Sequence, residues 1–357
     1  MGSGGVAIAA LPTVICLKVP FSDGLGGGKI RSSNFELLRI VCMLFIVCGH
    51  IIMVHKYEEM GDSSWCINQV VRPFCAVAVN VFVLISGYFG IKYNFRKLLS
   101  LNWMVTFYSI VFLAISMYLE IHTFSPMIDW MQFLPVVTKQ YWFITIYFVL
   151  CIISPYLNLL VEHLDVAKYR KMLLLGCGLF VILPTCGFVL NFRSITEDAG
   201  YGIVNFIFLY LLGRYLRLYY TPIINKFWYL TGYVISMASC GVFQMVFSEL
   251  LGFSYDSLIS YDTLFVFFGA LCLFLFFSKI EFKNLLVNNI AKGCLAVYII
   301  HLHPLFYECF FNNILNVKSY VGVDYIVLLI IAPCLIYLCC ILIEKCRSNI
   351  FMILKLT

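Results

Sequence analysis

The chain alternates between long runs of apolar side chains and short polar segments. An α-helix needs about 20 apolar residues to cross a bilayer, and ten runs reach roughly that length. The pattern therefore predicts an all-α, polytopic membrane protein with about ten transmembrane helices. The predicted spans are residues 37–55, 71–91, 98–119, 141–160, 172–190, 202–220, 228–250, 262–279, 293–311 and 324–343.

Composition agrees with this hydrophobic pattern. The 357 residues are 62% hydrophobic and 12% charged, whereas a soluble domain carries about 25% charged residues. The 33 Phe and 23 Tyr leave no low-complexity stretch, which excludes disordered and collagenous classes. Most of the 16 Cys lie within apolar runs and none form a C-x-x-C pair, so we expect packing rather than a disulfide framework or a metal site.

The charged residues predict how the chain is oriented. The net charge is +6, with basic residues in short clusters rather than in one dense patch, so no nucleic-acid partner is expected. Taken segment by segment, the loops between the predicted spans alternate between net positive and net negative charge. Because Lys and Arg are enriched in cytoplasmic loops, this alternation predicts ten spans with both termini in the cytoplasm.

Three regions follow from this arrangement. Residues 1–33 form an N-terminal extension of unknown role, because the apolar run at its centre is short and is interrupted by Pro12 and Pro20. Residues 34–346 form the transmembrane domain, and residues 347–357 form a short cytoplasmic tail.

Two ionisable residues lie on one face of the first predicted helix. An ionisable side chain inside a span is energetically costly and is therefore a candidate functional group. Arg39 and His50 are eleven residues apart, close to three full turns, so they face the same way roughly 16 Å apart along the axis. Glu36 precedes Arg39 by three residues and lies near that face.

This arrangement suits a ligand whose anionic end stays at the cytoplasmic surface while its reactive end reaches into the bilayer, as acyl-coenzyme A would. Arg39 is then expected to contact a phosphate or an adjacent polar group. Neutral His50 is expected to act as a general base that takes a proton from an acceptor hydroxyl. In the structural alternative, Arg39 extends to the membrane interface and His50 makes an interhelical hydrogen bond.

The ninth predicted span carries a second costly cluster. Tyr298 and His301 are three residues apart and share a face. His301 lies deep enough in the span to join His50 in a central cavity. His303 is followed by Pro304, which fits a helix kink.

The second and fourth spans add further candidates. Ser86 and Gly87 would let helices approach closely, and Tyr88 follows them at the cytoplasmic end. Arg96 belongs to a basic cluster that would hold phosphates or, alternatively, only sets topology. Trp142 opens the fourth span on the outer side, where aromatic residues are enriched at the membrane interface.

Four segments, taken in order, resemble the acyltransferase-3 family of integral-membrane acyltransferases. The first is Asn34–Arg39, from which Arg39 and His50 match the family's Arg-x10-His motif. The others are Val81–Tyr88, the stretch from Tyr141 to Asn158, and Tyr298–His301. The resemblance covers residues 34 to 345 and is closest to the stand-alone bacterial type, which has no soluble esterase-like domain.

The resemblance implies transfer of an acyl group, usually acetyl, from cytoplasmic acetyl-CoA to a sugar hydroxyl. The acceptor would be an extracytoplasmic polysaccharide or a lipid-linked glycan, and the location would be the bacterial cytoplasmic membrane. Expected partners are therefore acyl-CoA as donor substrate, the glycan acceptor and membrane lipid, with no permanently bound cofactor. Many relatives carry two arginines three residues apart after the second span. Here Arg96 is the nearest match, and Leu99 stands three residues later where the second arginine would be.

The main alternative is a carrier, flippase or polymerase for lipid-linked glycans, in which buried His and Arg bind a phosphate without chemistry. Carriers often contain inverted repeats, and no convincing repeat relates the two halves of this chain. The enzyme is therefore favoured, with His50 and Arg39 as its catalytic residues. The expected substrate contacts are Glu36, Arg96, Ser86, Tyr88, Trp142, Tyr298 and His301.

Overall fold

The computed structural model describes residues 32–55, 61–192, 194–251 and 257–353. These residues form helices and turns and contain no β-strand, so the all-α prediction is confirmed. The predicted N-terminal extension lies outside the described residues except for its last two positions. The helices are α1 (Ser33–His55), α2 (Ser63–Ala76), α3 (Ala78–Phe89), α4 (Phe95–Tyr118), α5 (Pro126–Asp129), α6 (Trp142–His163), α7 (Val166–Cys177), α8 (Leu183–Leu190), α9 (Ile203–Tyr219), α10 (Lys226–Leu251), α11 (Leu264–Ser278), α12 (Leu285–Ala291), α13 (Cys294–His301), α14 (Pro304–Glu308) and α15 (Gly322–Ile353).

The described helices confirm a polytopic membrane protein. Within the described ranges, eight helices or nearly continuous helix pairs are long and apolar enough to cross a bilayer, and a bent group of helices makes a ninth. The remaining predicted span corresponds to α9, whose 17 residues lie at the short end of the range of about 17–25 that crosses a bilayer. The predicted count of about ten is thus reached when α9 and the bent group both cross.

The second span begins earlier than predicted. α2 starts at Ser63 rather than at residue 71, because the Asp62 side chain caps the helix by accepting a hydrogen bond from the Trp65 N–H at 2.5 Å. The first turns are polar, so hydropathy alone misses them. α2 continues into α3 with an interruption at Val77, four residues after Pro73.

The last helix is longer than predicted. α15 runs from Gly322 to Ile353, so the described part of the predicted tail, residues 347–353, is helical. No Gly or Pro occurs between residues 334 and 353, and nothing in that stretch ends the helix.

The ninth span is not one helix, and the prediction of a single run over residues 293–311 is wrong. The segments Leu285–His301 and Pro304–Ser319 meet at a bend of 78°. His303 is extended, with ψ 123°, and its ring nitrogen accepts from the Leu305 N–H. Since Pro304 has no N–H to continue the first helix, the chain restarts there. The predicted kink at His303 and Pro304 is confirmed.

Two glycines let α3 and α9 approach closely, as the sequence predicts for Gly87. A Cβ atom at Gly87 would overlap the Tyr210 carbonyl group, and one at Gly213 would lie 2.5 Å from the Leu84 carbonyl oxygen. Only a residue without a side chain fits these positions. This contact fixes α3 against α9 at the end of the bundle where Ser86 lies.

Candidate functional site

His50 and His301 meet inside the helical bundle. His50 lies on α1 and His301 at the end of α13, 251 residues later. Nδ1 of His50 and Nε2 of His301 are 3.2 Å apart, and the side chain of His301 is buried. The predicted proximity of the two imidazoles is therefore observed, but only His50 lines a cavity.

The hydrogen bonds of this pair determine which nitrogen carries each proton. Nδ1 of His301 lies 2.5 Å from the Val297 carbonyl oxygen, and a carbonyl only accepts, so this Nδ1 donates. In a neutral imidazole, Nε2 of His301 is then an acceptor and receives the proton of Nδ1 of His50. The remaining nitrogen, Nε2 of His50, keeps its lone pair and can act as a base.

An inner cavity of about 190 Å³ opens near the start of α1. Three of the predicted residues, Arg39, Ser86 and Tyr298, line it. Lys92 and Lys97 line its mouth, and its wall is otherwise mostly apolar. The Ser86 hydroxyl donates to the Phe82 carbonyl oxygen and lies 3.4 Å from the Tyr147 hydroxyl. The cavity therefore combines a cationic mouth with an apolar interior.

Glu36 holds Arg39 at the wall of this inner cavity. Nη1 of Arg39 donates to Oε1 of Glu36 at 2.6 Å, and the two side chains are 19% and 5% exposed. Because α1 is one continuous helix, the three-residue spacing brings the two charges together. Glu36 orients Arg39 and is not itself part of the cavity lining.

An outer cavity of about 150 Å³ lies on the other side of His50. His50, Tyr298 and the predicted Trp142 line it, as does Arg72 of α2. Tyr201 and Tyr261 complete an aromatic cluster with Trp142 in which adjacent ring centroids are 4.5 to 5.8 Å apart. The outer cavity thus places an imidazole, a guanidinium group and aromatic rings around one space.

The two cavities share part of one wall. Tyr298 and Ile46 line both of them. The Tyr298 ring packs against Phe143, with centroids 5.8 Å apart, and edge-on towards His301 at 6.4 Å. His50 lines the outer cavity only, four residues after Ile46 on the same helix.

Four of the predicted substrate contacts line neither cavity: Glu36 and His301, which contact Arg39 and His50, and also Tyr88 and Arg96. The Tyr88 hydroxyl accepts a hydrogen bond from Arg217 at 3.2 Å, and the Arg217 guanidinium carbon lies 5.2 Å from the centre of the Tyr88 ring. Tyr88 thereby joins α3 to α9. Arg96 is exposed and outside the lining of the inner cavity, where Lys92 and Lys97 lie instead.

The sequence did not single out Arg72, Tyr201 or Tyr261. Arg72 stood at the edge of the span predicted to start at residue 71 and was counted only as a loop charge. With α2 starting at Ser63, Arg72 lies nine residues inside a candidate membrane span, so recognising the polar N-terminal turns would have identified it as a helical cation. Tyr201 and Tyr261 precede α9 and α11, and only the folded chain brings them to Trp142.

The chain was compared with known proteins. A family model described as an acyltransferase domain, of the acyltransferase-3 type, matches residues 32–345. No curated protein and no solved structure matches the chain significantly. The matched range contains every lining residue of the two cavities.

Proposed function

Because the chain belongs to the acyltransferase-3 family of membrane acyltransferases, we propose that it transfers an acetyl group from acetyl-CoA to a sugar hydroxyl. In this proposal the donor enters from the cytoplasm and the acceptor is an extracytoplasmic polysaccharide or lipid-linked glycan at a bacterial cytoplasmic membrane. His50 is the general base. The family match covers residues 32–345, which is most of this chain.

The observation that carries this proposal is the hydrogen-bonded chain from the Val297 carbonyl through His301 to His50. It leaves Nε2 of His50 with a free lone pair, and His50 lines the outer cavity, where we expect an acceptor hydroxyl to enter. A base held in one tautomer by a second group is the arrangement that general-base catalysis requires.

The reaction balances in protons and bonds. Nε2 of His50 takes the proton of the acceptor hydroxyl while the hydroxyl oxygen forms a bond to the thioester carbonyl carbon. The carbon–sulfur bond then breaks, and the coenzyme A sulfur leaves and receives the proton from the His50 imidazolium. The products are the acetylated sugar and coenzyme A, and His50 is neutral again.

The inner cavity suits the donor. Lys92, Lys97 and Arg39 would bind phosphate groups at its mouth, since guanidinium and ammonium groups pair strongly with phosphate oxygens. The apolar interior would hold the uncharged arm of acetyl-CoA, and the thioester would lie near Tyr298. Arg39, held by Glu36, would then position the donor rather than take part in proton transfer.

The test compares His50→Ala with His163→Ala, an exposed histidine on α6 that lines neither cavity. Losing a general base lowers rates about 10²- to 10⁴-fold. In cells that lack the chromosomal copy, we expect His163→Ala to restore the mass increment of acetyl groups on surface glycans and His50→Ala not to, with equal amounts of both proteins in the membrane.

A glycan carrier or polymerase would give a different result. Deleting the chain would then shorten or remove the glycan while leaving the acetylation of each remaining unit unchanged. Normal acetylation by His50→Ala would instead refute the assigned base.

A further inference from the structure

Arg72 lies well inside a helix rather than in a loop. It is nine residues from Ser63, the first residue of α2, which is about 13 Å along the helix axis. A cation at such a depth is costly unless it faces a polar or water-filled space. Arg72 is half-buried and lines the outer cavity together with His50.

The rest of the outer cavity suits a sugar ring. Trp142 and Tyr261 are nearly parallel, at 24° with centroids 5.8 Å apart, and Tyr201 packs against both. Aromatic faces attract the C–H groups of a sugar ring, whose hydroxyls remain free at its edge. Among the described residues that line this cavity, Arg72 carries the positive charge. The others are mainly aromatic and aliphatic, together with the His50 imidazole and the Ser260 hydroxyl.

Hydrogen bonds hold Tyr261 at this cavity. The Asn80 side-chain amide donates to the Tyr261 carbonyl oxygen at 2.7 Å, and the Tyr261 N–H donates to the Ala199 carbonyl oxygen at 3.0 Å. The Asn205 amide donates to the Gly200 carbonyl oxygen at 3.0 Å. The segments that carry Tyr201 and Tyr261 are therefore fixed to α3, to α9 and to each other, so the cavity is preformed.

Building on the function proposed above, we propose that the acceptor is an anionic glycan whose carboxylate or phosphate group is bound by Arg72. The sugar ring packs on the Trp142 cluster, its anionic group pairs with the planar guanidinium group, and one of its hydroxyls faces Nε2 of His50. A guanidinium group binds two oxygens of such an anion at once, which also fixes the direction of the ring. Arg72 is thus a specificity-determining residue for the acceptor.

The first arm of the test identifies the acetylated sugar. Tandem mass spectrometry of surface glycans, from cells with and without this chain, locates the acetyl groups that depend on it. We expect the acetylated unit or its direct neighbour to carry an acidic sugar carboxylate or a phosphate, and the fragment masses tell these two sources apart. Acetyl groups confined to neutral sugars with neutral neighbours would overturn the anionic acceptor and leave acetyl transfer intact. The absence of any dependent acetyl group would overturn both proposals.

The second arm of the test changes the charge of the side chain at position 72. Acetyl transfer to the identified glycan is measured with the full chain in lipid vesicles for Arg72→Gln, Arg72→Lys and, as a matched control, Arg170→Gln at an exposed position on α7. A charged hydrogen bond contributes enough that Arg72→Gln should raise the acceptor KM about ten- to a hundredfold. The acceptor KM of Arg72→Lys should lie between those of the wild type and Arg72→Gln. The KM for acetyl-CoA should not change in either variant.

Two results in this second arm count against the proposal. If the acceptor KM of Arg72→Gln equals that of the wild type, the guanidinium group does not bind the acceptor. An equal rise in the KM for acetyl-CoA would show a general disturbance of the site. If Arg72→Gln fails to accumulate in the membrane, Arg72→Lys and the composition of the acetylated unit still decide the question.

Discussion

At the scale of single residues, we expect His301 to act as a positioning residue for His50. Its Nε2 atom receives the proton of Nδ1 of His50 and so keeps the opposite nitrogen of His50 unprotonated. Tyr307 adds a second restraint, since its hydroxyl donates to the His50 carbonyl oxygen at 3.3 Å. The tautomer of His50 is therefore expected to depend on His301, and the position of its backbone on Tyr307.

Replacing His301 tests this dependence. In His301→Gln, a side-chain oxygen can still accept from Nδ1 of His50, whereas His301→Ala removes the acceptor. We expect His301→Ala to lower kcat about tenfold or more with little change in the KM for acetyl-CoA, and His301→Gln to retain more of the activity. The measurement is steady-state acetyl transfer with purified protein. Equal losses in the two variants would show that a hydrogen-bond acceptor at this position does not support the activity.

Part of the site could be predicted at this scale and part could not. Arg39 and His50 lie on one helix, where the helical repeat alone predicts their common face. The contact between His50 and His301 joins segments far apart in the sequence, and it was expected only because both side chains are too costly to face lipid. No local rule brings Tyr201 and Tyr261 to Trp142, since their positions depend on hydrogen bonds to Asn80, Asn205 and the Ala199 carbonyl.

At the scale of helices, the contact between α3 and α9 supports the inner cavity. Gly87 follows Ser86, a lining residue, and lies against the α9 backbone near Tyr210. The Tyr210 hydroxyl in turn donates to Oδ1 of Asn158 at 2.8 Å and accepts from the Ile91 N–H at 2.9 Å. Separating α3 from α9 would therefore also disturb the turn after α3 that carries Lys92.

Gly87→Ala should lower stability even though alanine favours helices. Inserting a methyl group into a close backbone contact costs about 1–3 kcal/mol, more than the gain of up to about 1 kcal/mol in helix propensity. The control is Gly178→Ala, because a Cβ atom there meets no other group within 4 Å. Thermal unfolding in detergent should show a lower Tm for Gly87→Ala and an unchanged or higher Tm for Gly178→Ala. A Tm for Gly87→Ala at or above that of the wild type would contradict the close contact.

The sequence predicted the locations of the helices more accurately than their first and last residues. Apolar runs locate the membrane-spanning parts because lipid leaves no other partner for the backbone. The ends depend on local groups that hydropathy ignores, such as the Asp62 cap of α2 and the missing N–H of Pro304. The same hydropathy that located α15 could not show that it continues to Ile353.

At the scale of the whole molecule, the described contacts relate the ends of distant helices. The Tyr325 hydroxyl, near the start of α15, donates to Oδ1 of Asn68 in α2 at 2.7 Å. The starts of α2 and α15 therefore lie at the same face of the membrane. Cys346 is 24 residues beyond Gly322, about 36 Å along α15, which exceeds the roughly 30 Å thickness of the hydrocarbon core.

This geometry makes the predicted orientation testable. Cys66 and Cys346 are both exposed and free, and they should lie on opposite faces, with Cys66 outside the cell. In two variants that each keep one of these cysteines, a membrane-impermeant maleimide added to intact cells should label Cys66 at once. Cys346 should react only after the membrane is opened. The reverse order would mean that the termini lie outside and that the charge alternation was misread.

The wall shared by the two cavities has an electrical consequence. Water that filled the two cavities from opposite sides would carry each side's potential inward, so the membrane potential would fall mainly across their shared wall, to which Ile46 and Tyr298 contribute. A charge that crosses the whole potential gains about 2.3 kcal/mol per 100 mV. The proton that we propose moves to and from His50 would then experience that concentrated field. Acyl transfer by this protein is therefore expected to respond to the voltage of the membrane that contains it.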